Sequence, residues 1–338
     1  MGSEILEPPA ADPLRATGVV VIGRNEGARL ARCLESLRAL RDRTIYVDSG
    51  STDDSLEISR ALGVASVALD RGSRFTAARA RNMGFNRLLG RHPGLRYVLF
   101  VDGDCEVASS WPRAAARFMA RRPDVAVVWG RRREKYPERS IYNRLCDLEW
   151  QEGAMGETKE CGGDALICAA AFREAQGYRP DLICGEEPEL CVRLRQAGWR
   201  VWRLDEEMTV HDAAMYRFRQ WWLRMQRGGY AFAQGAHLHG ASPERHGVVE
   251  SRRVRLWGLY LPLATLIATA LCGPAGCALL LAYPLQIARV ALRGRRSTAD
   301  NWLRAASVVC AKFPELLGQL RFFAHALGHV QARLIEYK

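Results

Sequence analysis

Residues 17–102 alternate short apolar runs with amphipathic stretches, and that alternation leaves few folds open. TGVVVIG, RTIYVD, VASVALD and YVLFVD each read as a strand buried on both faces. Between the first two, residues 25–40 place Leu30, Leu34 and Leu37 on one helical face. STDDSLEISRALG opens with helix-capping residues and ends in Gly63, a natural helix stop. FTAARARNMGFNRLL reads as a helix rich in Ala and Arg. Strands joined by helices through short links predict an α/β fold: a mostly parallel sheet with helices on both faces. Ligands of such sheets bind beyond the carboxyl ends of the strands. Asp48 and Asp102 both close strands, so they are expected in one crevice.

The fourth strand raises a question of charge. LFVDGDCEV ends a buried run in Asp102, Asp104 and Glu106. Uncompensated carboxylates there repel one another and lose hydration, so something positive should sit among them. Gly103 lets the backbone turn sharply enough for Asp102 and Asp104 to face one volume. Hard oxygen ligands of this kind suit Mg²⁺ or Mn²⁺, ions that bridge carboxylates to phosphates. Taken alone, D-G-D is equally compatible with an ordinary surface turn. After Asp48, residues Ser51, Thr52 and Asp53 bring side-chain oxygens to a helix start, where Ser51 or Asp53 suffices as the cap.

Downstream, WPRAAARFMARR predicts a helix and DVAVVWG a further strand. Residues 131–185 are less periodic and contain the Gly-rich turn CGGDALI. Residues 189–197 read as a short helix, WRVWRL as a strand, and YRFRQWWLRMQRGGY as an amphipathic stretch. Residues 256–288 then carry no charge and no His, a run longer than the ~20 residues of one membrane span. Gly273-Pro274-Ala275-Gly276 interrupts it near the middle. Arg252, Arg253 and Arg255 precede the run, and Arg289, Arg293, Arg295 and Arg296 follow it. A hairpin with both ends on the cytoplasmic side satisfies the positive-inside rule. Residues 301–330 read as amphipathic or interfacial helices. The expected organisation is a disordered segment over 1–16, a catalytic domain over 17–250, and a hydrophobic hairpin with amphipathic helices over 251–338.

The formal net charge is +12, carried almost wholly by Arg, which suits an anionic partner or an anionic membrane surface. The ten Cys form no CxxC pair and have no zinc-ligand spacing with His, which suits a reducing compartment. The N-terminus is polar and Pro-rich, without the apolar stretch of a signal peptide.

The motifs IGRNEGARLARCLESL, VDSGSTDDSLEISRALG, FTAARARNMGF, FVDGDCE and GEEPELCVRLRQAGWRV, followed by His211, resemble in kind and order those of the family 2 glycosyltransferases, over residues 17–235. The resemblance implies the GT-A fold and an inverting, metal-dependent transfer from a nucleotide-sugar, a UDP- or GDP-sugar, with Mn²⁺ or Mg²⁺ as cofactor. It implies that Gly23, Asn25, Glu26, Asp48 and Arg81 lie about the nucleotide. Ile22 stands where the family usually has Pro, and Ser49 where a second Asp is common. Asp102 would face the ribose and join Asp104 and His211 at the metal, and Asp164 would meet the sugar. Glu187 falls where the family places its catalytic base, with Glu186 as the alternative; without the resemblance, their acids read as a helix N-terminus suited to the dipole. RQWWLRMQRGG only loosely matches the Q-x-x-R-W signature of polymer-forming relatives. The resemblance further implies a bacterial enzyme on the cytoplasmic face of the inner membrane, acting in cell-envelope or exopolysaccharide synthesis. Its partners would be a lipid-linked or saccharide acceptor and membrane lipids.

Two other functions fit less well. A sugar-phosphate nucleotidyltransferase needs a Lys-bearing Gly-rich loop, and IGRNEGARL has no Lys. A non-catalytic basic module that binds nucleotide or membrane leaves the acidic strand ends unexplained, and no nucleic-acid-binding motif is present.

Overall fold

The computed structural model describes residues 12–70 and 75–328, so part of the expected N-terminal disordered segment lies outside the described residues. Pro13–Ala16 forms a 3₁₀ turn that leads into the first strand. The elements then run β1 (Thr17–Gly23), α1 (Ala28–Ser36), β2 (Thr44–Asp48), α2 (Ser55–Ala61), β3 (Ala65–Ala68), α3 (Ala77–Arg91), β4 (Tyr97–Asp102) and β5 (Cys105–Val107). They continue with α4 (Trp111–Arg121), β6 (Val125–Glu134), α5 (Ile141–Trp150), β7 (Gly156–Thr158), β8 (Ala165–Cys168), α6 (Ala169–Glu174), α7 (Glu186–Gln196) and β9 (Arg200–His211). The last six helices are α8 (Phe218–His239), α9 (Val248–Arg255), α10 (Leu261–Cys272), α11 (Ala282–Leu292), α12 (Thr298–Cys310) and α13 (Lys312–Leu327).

The chain divides into two compact units, and the division is not a single cut. The first holds residues 1–133, 153–181 and 186–212; the second takes 134–152, 182–185 and 213–338.

In the first unit the strands form one sheet in the order β3-β2-β1-β4-β8-β6-β9-β5, with β7 against β9. The alternation read from the sequence gives the parallel half, β3 to β4. Beyond β4 the pairing turns antiparallel, in β4 with β8, β8 with β6, and β9 with β5 and β7. Strand residues sort by the period of two. Val20, Ile22, Val98 and Phe100 pack with Phe85, Leu88, Phe172 and Leu190 on one face. Val19, Val21, Leu99 and Val101 pack with Leu30, Leu34, Trp111 and Met119 on the other.

Register delivers the crevice. Gly23 pairs with Asp48 and Ile22 with Asp102, so both acidic strand ends flank the end of β1. On the antiparallel side Cys105 pairs with His211, which sets that His beside Asp104.

The second unit is tied together by polar contacts. Arg144 of α5 makes a two-pronged pair with Asp300 of α12 (2.8 and 2.6 Å), and Arg224 of α8 another with Glu149 (2.7 Å each). Glu134 accepts from the Ala213 amide (3.0 Å) and from the Asn143 amide nitrogen (3.2 Å). In α8 and α13, Gly229 lies against the Glu315 backbone and Gly318 against the Gln226 carbonyl, so the two backbones nearly touch. The uncharged run of the sequence becomes a π-helical turn over Leu256–Tyr260, then α10, a 3₁₀ segment over Gly273–Leu281, and α11. Gly273 (φ +67°) breaks it, and the 3₁₀ segment folds back on α10, with Gly276 seated against the backbone of Ala268 and Thr269. Residues 301–330 fall largely within α12 and α13.

Gly84 of α3 is where the helix meets the sheet: a Cβ there would run into Val20 and come within 2.9 Å of Val47. Gly84→Val should therefore destabilise the first unit by about 1–3 kcal/mol through overpacking. Urea unfolding followed by circular dichroism checks this; unchanged stability would mean the helix rides higher on the sheet.

Candidate active site

The acids at the sheet edge have two fates. Asp48 is 1 % exposed. Its Oδ2 accepts from the Gly50 and Ser51 amides (2.9 Å each), and its Oδ1 from the Ser51 hydroxyl (2.5 Å) and the Tyr46 hydroxyl (3.0 Å). The side chain expected at the base or ribose is thus spent on its own turn. Asn25 does similar work with φ +57°: its Oδ1 accepts from the Thr52 amide at 2.7 Å, and its amide donates to Ser51. Glu26 turns toward Arg29 at 2.8 Å, packed where a Cβ on Gly23 would meet it. Gly23, Asn25, Glu26 and Asp48 therefore shape the loop at the end of β1 and β2 through backbone and side-chain contacts within the chain.

Asp164 is likewise engaged within the chain. It is fully buried, and its Oδ1 accepts from the Asp102 amide (3.0 Å). Its Oδ2 accepts from the Thr209 hydroxyl (2.7 Å) and pairs with Arg132 at 2.5 Å. Both oxygens accept from within the chain, and Asp164 thereby holds the end of β4 in place.

Asp102 keeps a half-open side chain, and the positive groups the sequence called for are guanidiniums. Arg81 lies 2.8 Å from its Oδ1 and Arg132 3.4 Å from its Oδ2. Each of its oxygens thus faces a guanidinium, and Asp102 also lies with Cys105 and Asp164 in a group whose ligand atoms fall within 4.8 Å of one another. Arg132 was not singled out from the sequence. Its signal was the strand alternation in VVWGRRRE, which sets Gly130, Arg132 and Glu134 on one side.

Asp104 and His211 meet as the resemblance implies. Asp104 Oδ2 lies 3.3 Å from His211 Nε2, both buried, and the Asp212 amide donates to the Asp104 carbonyl at 3.0 Å. Cys105 completes a trio whose ligand atoms lie within 4.8 Å of one another. Burial, then the nearby Asp164, pushes its thiol well above the usual range. A carboxylate and an imidazole remain, a donor set that fits a Mn²⁺-class cation. Glu106 lies outside this site, paired with Arg32 at 3.0 Å.

Arg81 ties this edge to α7. Its guanidinium is 2 % exposed and contacts Glu186 (3.0 Å), Glu187 (2.8 Å) and Asp102. Burial works against its charge, but Glu187, Asp102 and Glu186 outweigh that and hold the proton firmly. Gly163 makes room: a Cβ there would sit 2.7 Å from Asp102 Oδ2 and 2.9 Å from Arg81 Nη2. The third acid of the run, Glu189, is engaged elsewhere, paired with Arg193 at 2.7 Å. Glu187 is the more open of the two acids on Arg81, with its side chain 15 % exposed against 4 % for Glu186. Burial and the adjacent Glu186 raise its carboxyl to about 7, against the pull of Arg81.

Residues 18–175 match the sequence profile of glycosyl transferase family 2. Over these residues the chain is similar to that family. It is 26 % identical over 221 residues to the succinoglycan biosynthesis protein ExoA of Rhizobium meliloti (strain 1021), covering 60 % of this chain and 65 % of that protein. It is 26 % identical over 247 residues to the pre-mycofactocin glycosyltransferase of Mycobacterium tuberculosis (strain CDC 1551 / Oshkosh), covering 69 % of this chain and 50 % of that protein. The chain thus spans less than two thirds of the length of these relatives. In fold it is similar to the mannosyltransferase PcManGT of Pyrobaculum calidifontis, solved with GDP-Man and Mn²⁺, at a TM-score of 0.58 and 19 % identity over 91 % of this chain and 87 % of that one. The shared fold is the GT-A sheet with its helices.

At this sheet edge, removing Arg132 leaves Asp164 buried without its cation. Arg132→Met should cost about 3–5 kcal/mol, as breaking one side of a buried ion pair does. Arg132→Lys should recover part of it. Thermal unfolding of the three proteins measures this, and an unshifted midpoint for Arg132→Met would show that Asp164 needs no partner.

Proposed function

We propose that this chain is an inverting glycosyltransferase that moves a sugar from a nucleoside-diphosphate donor to an acceptor hydroxyl. The observation that carries the reading is Arg81, one buried guanidinium in contact with Asp102 at the donor edge and Glu187 on α7. It sets a carboxylate of raised proton affinity close to the strand ends where family 2 relatives hold their donor. Glu187 is assigned as the base. It takes the proton of the acceptor hydroxyl while that oxygen bonds to the anomeric carbon; the bond from that carbon to the diphosphate breaks, and the diphosphate leaves with the electron pair. One displacement inverts the anomeric centre. Glu186, more deeply buried, steadies Arg81 and raises Glu187. Asp104 and His211 would hold Mn²⁺ or Mg²⁺, whose chemistry there is to neutralise charge gathering on the leaving diphosphate.

The acceptor is assigned to the lipid-linked or saccharide class, with the protein attached to the cytoplasmic face of a bacterial inner membrane and acting in envelope or exopolysaccharide synthesis. The support is the exposed apolar segment within Val248–Leu292, long and apolar enough to cross a membrane, and the Arg at both its ends. The name of the succinoglycan relative points the same way. UDP- and GDP-sugars are both carried forward as donors.

Thermal shift with UDP, GDP, dTDP and CMP, each with Mn²⁺, Mg²⁺ or EDTA, tests the donor site. One nucleoside diphosphate should stabilise the wild type in a metal-dependent way, and Asp104→Asn should lose the effect. No metal-dependent stabilisation by any of them would favour a non-catalytic protein on this fold.

The base has its own test. Glu187 must be ionised to act, so kcat should rise about tenfold per pH unit below its pKa of about 7 and level off above it. Glu187→Gln should lower kcat by about 10²–10⁴-fold while leaving nucleotide binding intact. If Glu187→Gln keeps the wild-type rate and profile, the base is another group.

A further inference from the structure

The uncharged hairpin has a definite depth. Its base is marked by aromatic groups: the Trp257 and Tyr283 rings meet at a tilt with centroids 5.9 Å apart, and the Tyr283 hydroxyl donates to the Trp257 carbonyl at 2.6 Å. Tyr260 lies one turn on, exposed. From Trp257 to Cys272 the helical rise of ~1.5 Å per residue gives about 22 Å. The return, 3₁₀ over Gly273–Leu281 and then α11, reaches Tyr283 after about 20 Å at ~2 Å per residue. Both arms give the same depth, about 8–10 Å less than a hydrocarbon core of ~30 Å.

The tip is built for hydrocarbon. Segments that cross a bilayer carry Trp and Tyr at both interfaces. Here the aromatic residues stand at the base, and the tip LCGPAGCALLL holds neither aromatic nor charged nor amide side chains. The arms' two hydroxyls are satisfied internally: Thr265 donates to the Leu261 carbonyl (2.9 Å), and Thr269 meets Cys277 Sγ at 3.6 Å. The backbone passes from α10 into the 3₁₀ segment at Gly273, which keeps most of its polar groups within helical turns. Each arm is covered on the side that faces the other, as Thr265 and Gly276 are buried. The outer sides are apolar throughout, with Leu266, Leu271 and Leu281 exposed. A helix lying flat on a membrane keeps a polar face toward water, and these arms have none. Arg252, Arg253 and Arg255 before the base and Arg289, Arg293 and Arg295 after it suit anionic headgroups on a single surface.

We propose that residues 256–288 form a re-entrant anchor, which enters the bilayer from one side and ends with Cys272 and Cys277 inside the hydrocarbon, short of the opposite surface. The inference rests on the membrane attachment proposed above.

The tip carries its own reporters. Cys272, Cys277 and Cys310 are the exposed thiols among the described residues. Full-length Cys310→Ser protein, reconstituted in phosphatidylglycerol-containing liposomes, is treated with a charged maleimide from outside or from the trapped lumen. The triple variant with Cys272→Ser, Cys277→Ser and Cys310→Ser serves as background. Neither face should label the tip above one tenth of the level reached after SDS, whereas a lipid-soluble maleimide should label it in the intact membrane. Labelling from the face opposite the Arg-rich base would show a spanning hairpin and overturn the proposal. Labelling from the face of the base would show a surface-lying one, which also overturns it. Flotation with the liposomes in high salt is scored separately, and its failure removes the attachment itself.

Discussion

One guanidinium organises the site. Arg81 is buried against Asp102, Glu186 and Glu187, and no other arrangement of these groups is affordable in a low dielectric. Three carboxylates around one cation leave negative charge over, and the structure relieves it by holding Glu187 at a raised proton affinity. The residue suited to act as a base is thus the one that the cluster cannot keep fully ionised near neutrality. Deep burial of Arg81 also fixes how far α7 stands from β4, because a guanidinium out of contact with any of the three would strand a buried charge.

The sheet makes this cluster possible through register. Parallel pairing of β1 with β2 and β4 brings Asp48 and Asp102 level with the end of β1. Antiparallel pairing of β5 with β9 carries His211 to Asp104 from more than a hundred residues away. The two halves of the sheet therefore supply different chemistry: loop shape from the parallel half, and the carboxylate–imidazole pair from the antiparallel one.

The parallel half was legible because each of its strands is an apolar run followed by a periodic helix, a pattern set by burial on both faces. The antiparallel half was less so. The expected strand WRVWRL extends to His211 through DEEMTV, whose acidic residues mask the pattern because they stand at the exposed edge of the pairing. In the site, the meeting of Asp104 with His211 could be read from the motifs because motif spacing tracks backbone geometry. The work of Asp48 and Asp164 could not, because hydrogen-bond saturation depends on what the fold brings to them: Tyr46 and Ser51 for one, Thr209 and Arg132 for the other. Arg132 was hidden for a related reason. Within RRREK the strand alternation sets Arg132 apart from its neighbours only once the strand is known to run on through the three Arg.

The charge balance bears on the proposed donor. Asp102, Asp104, Asp164, Glu186 and Glu187 are set against two guanidiniums, Arg81 and Arg132, and both of these are already engaged by carboxylates. A diphosphate brought to this edge would add anionic charge to a region with an excess of it. Neither Arg can turn to the phosphates without exposing a buried acid, at a cost comparable to what the new contact would return. On the proposed reading, compensation arrives with the donor as the cation that Asp104 and His211 would hold. On this reading the Arg residues belong to the protein's own acids and the divalent cation to the substrate's phosphates, so binding of donor and metal should be strongly coupled, each weak without the other.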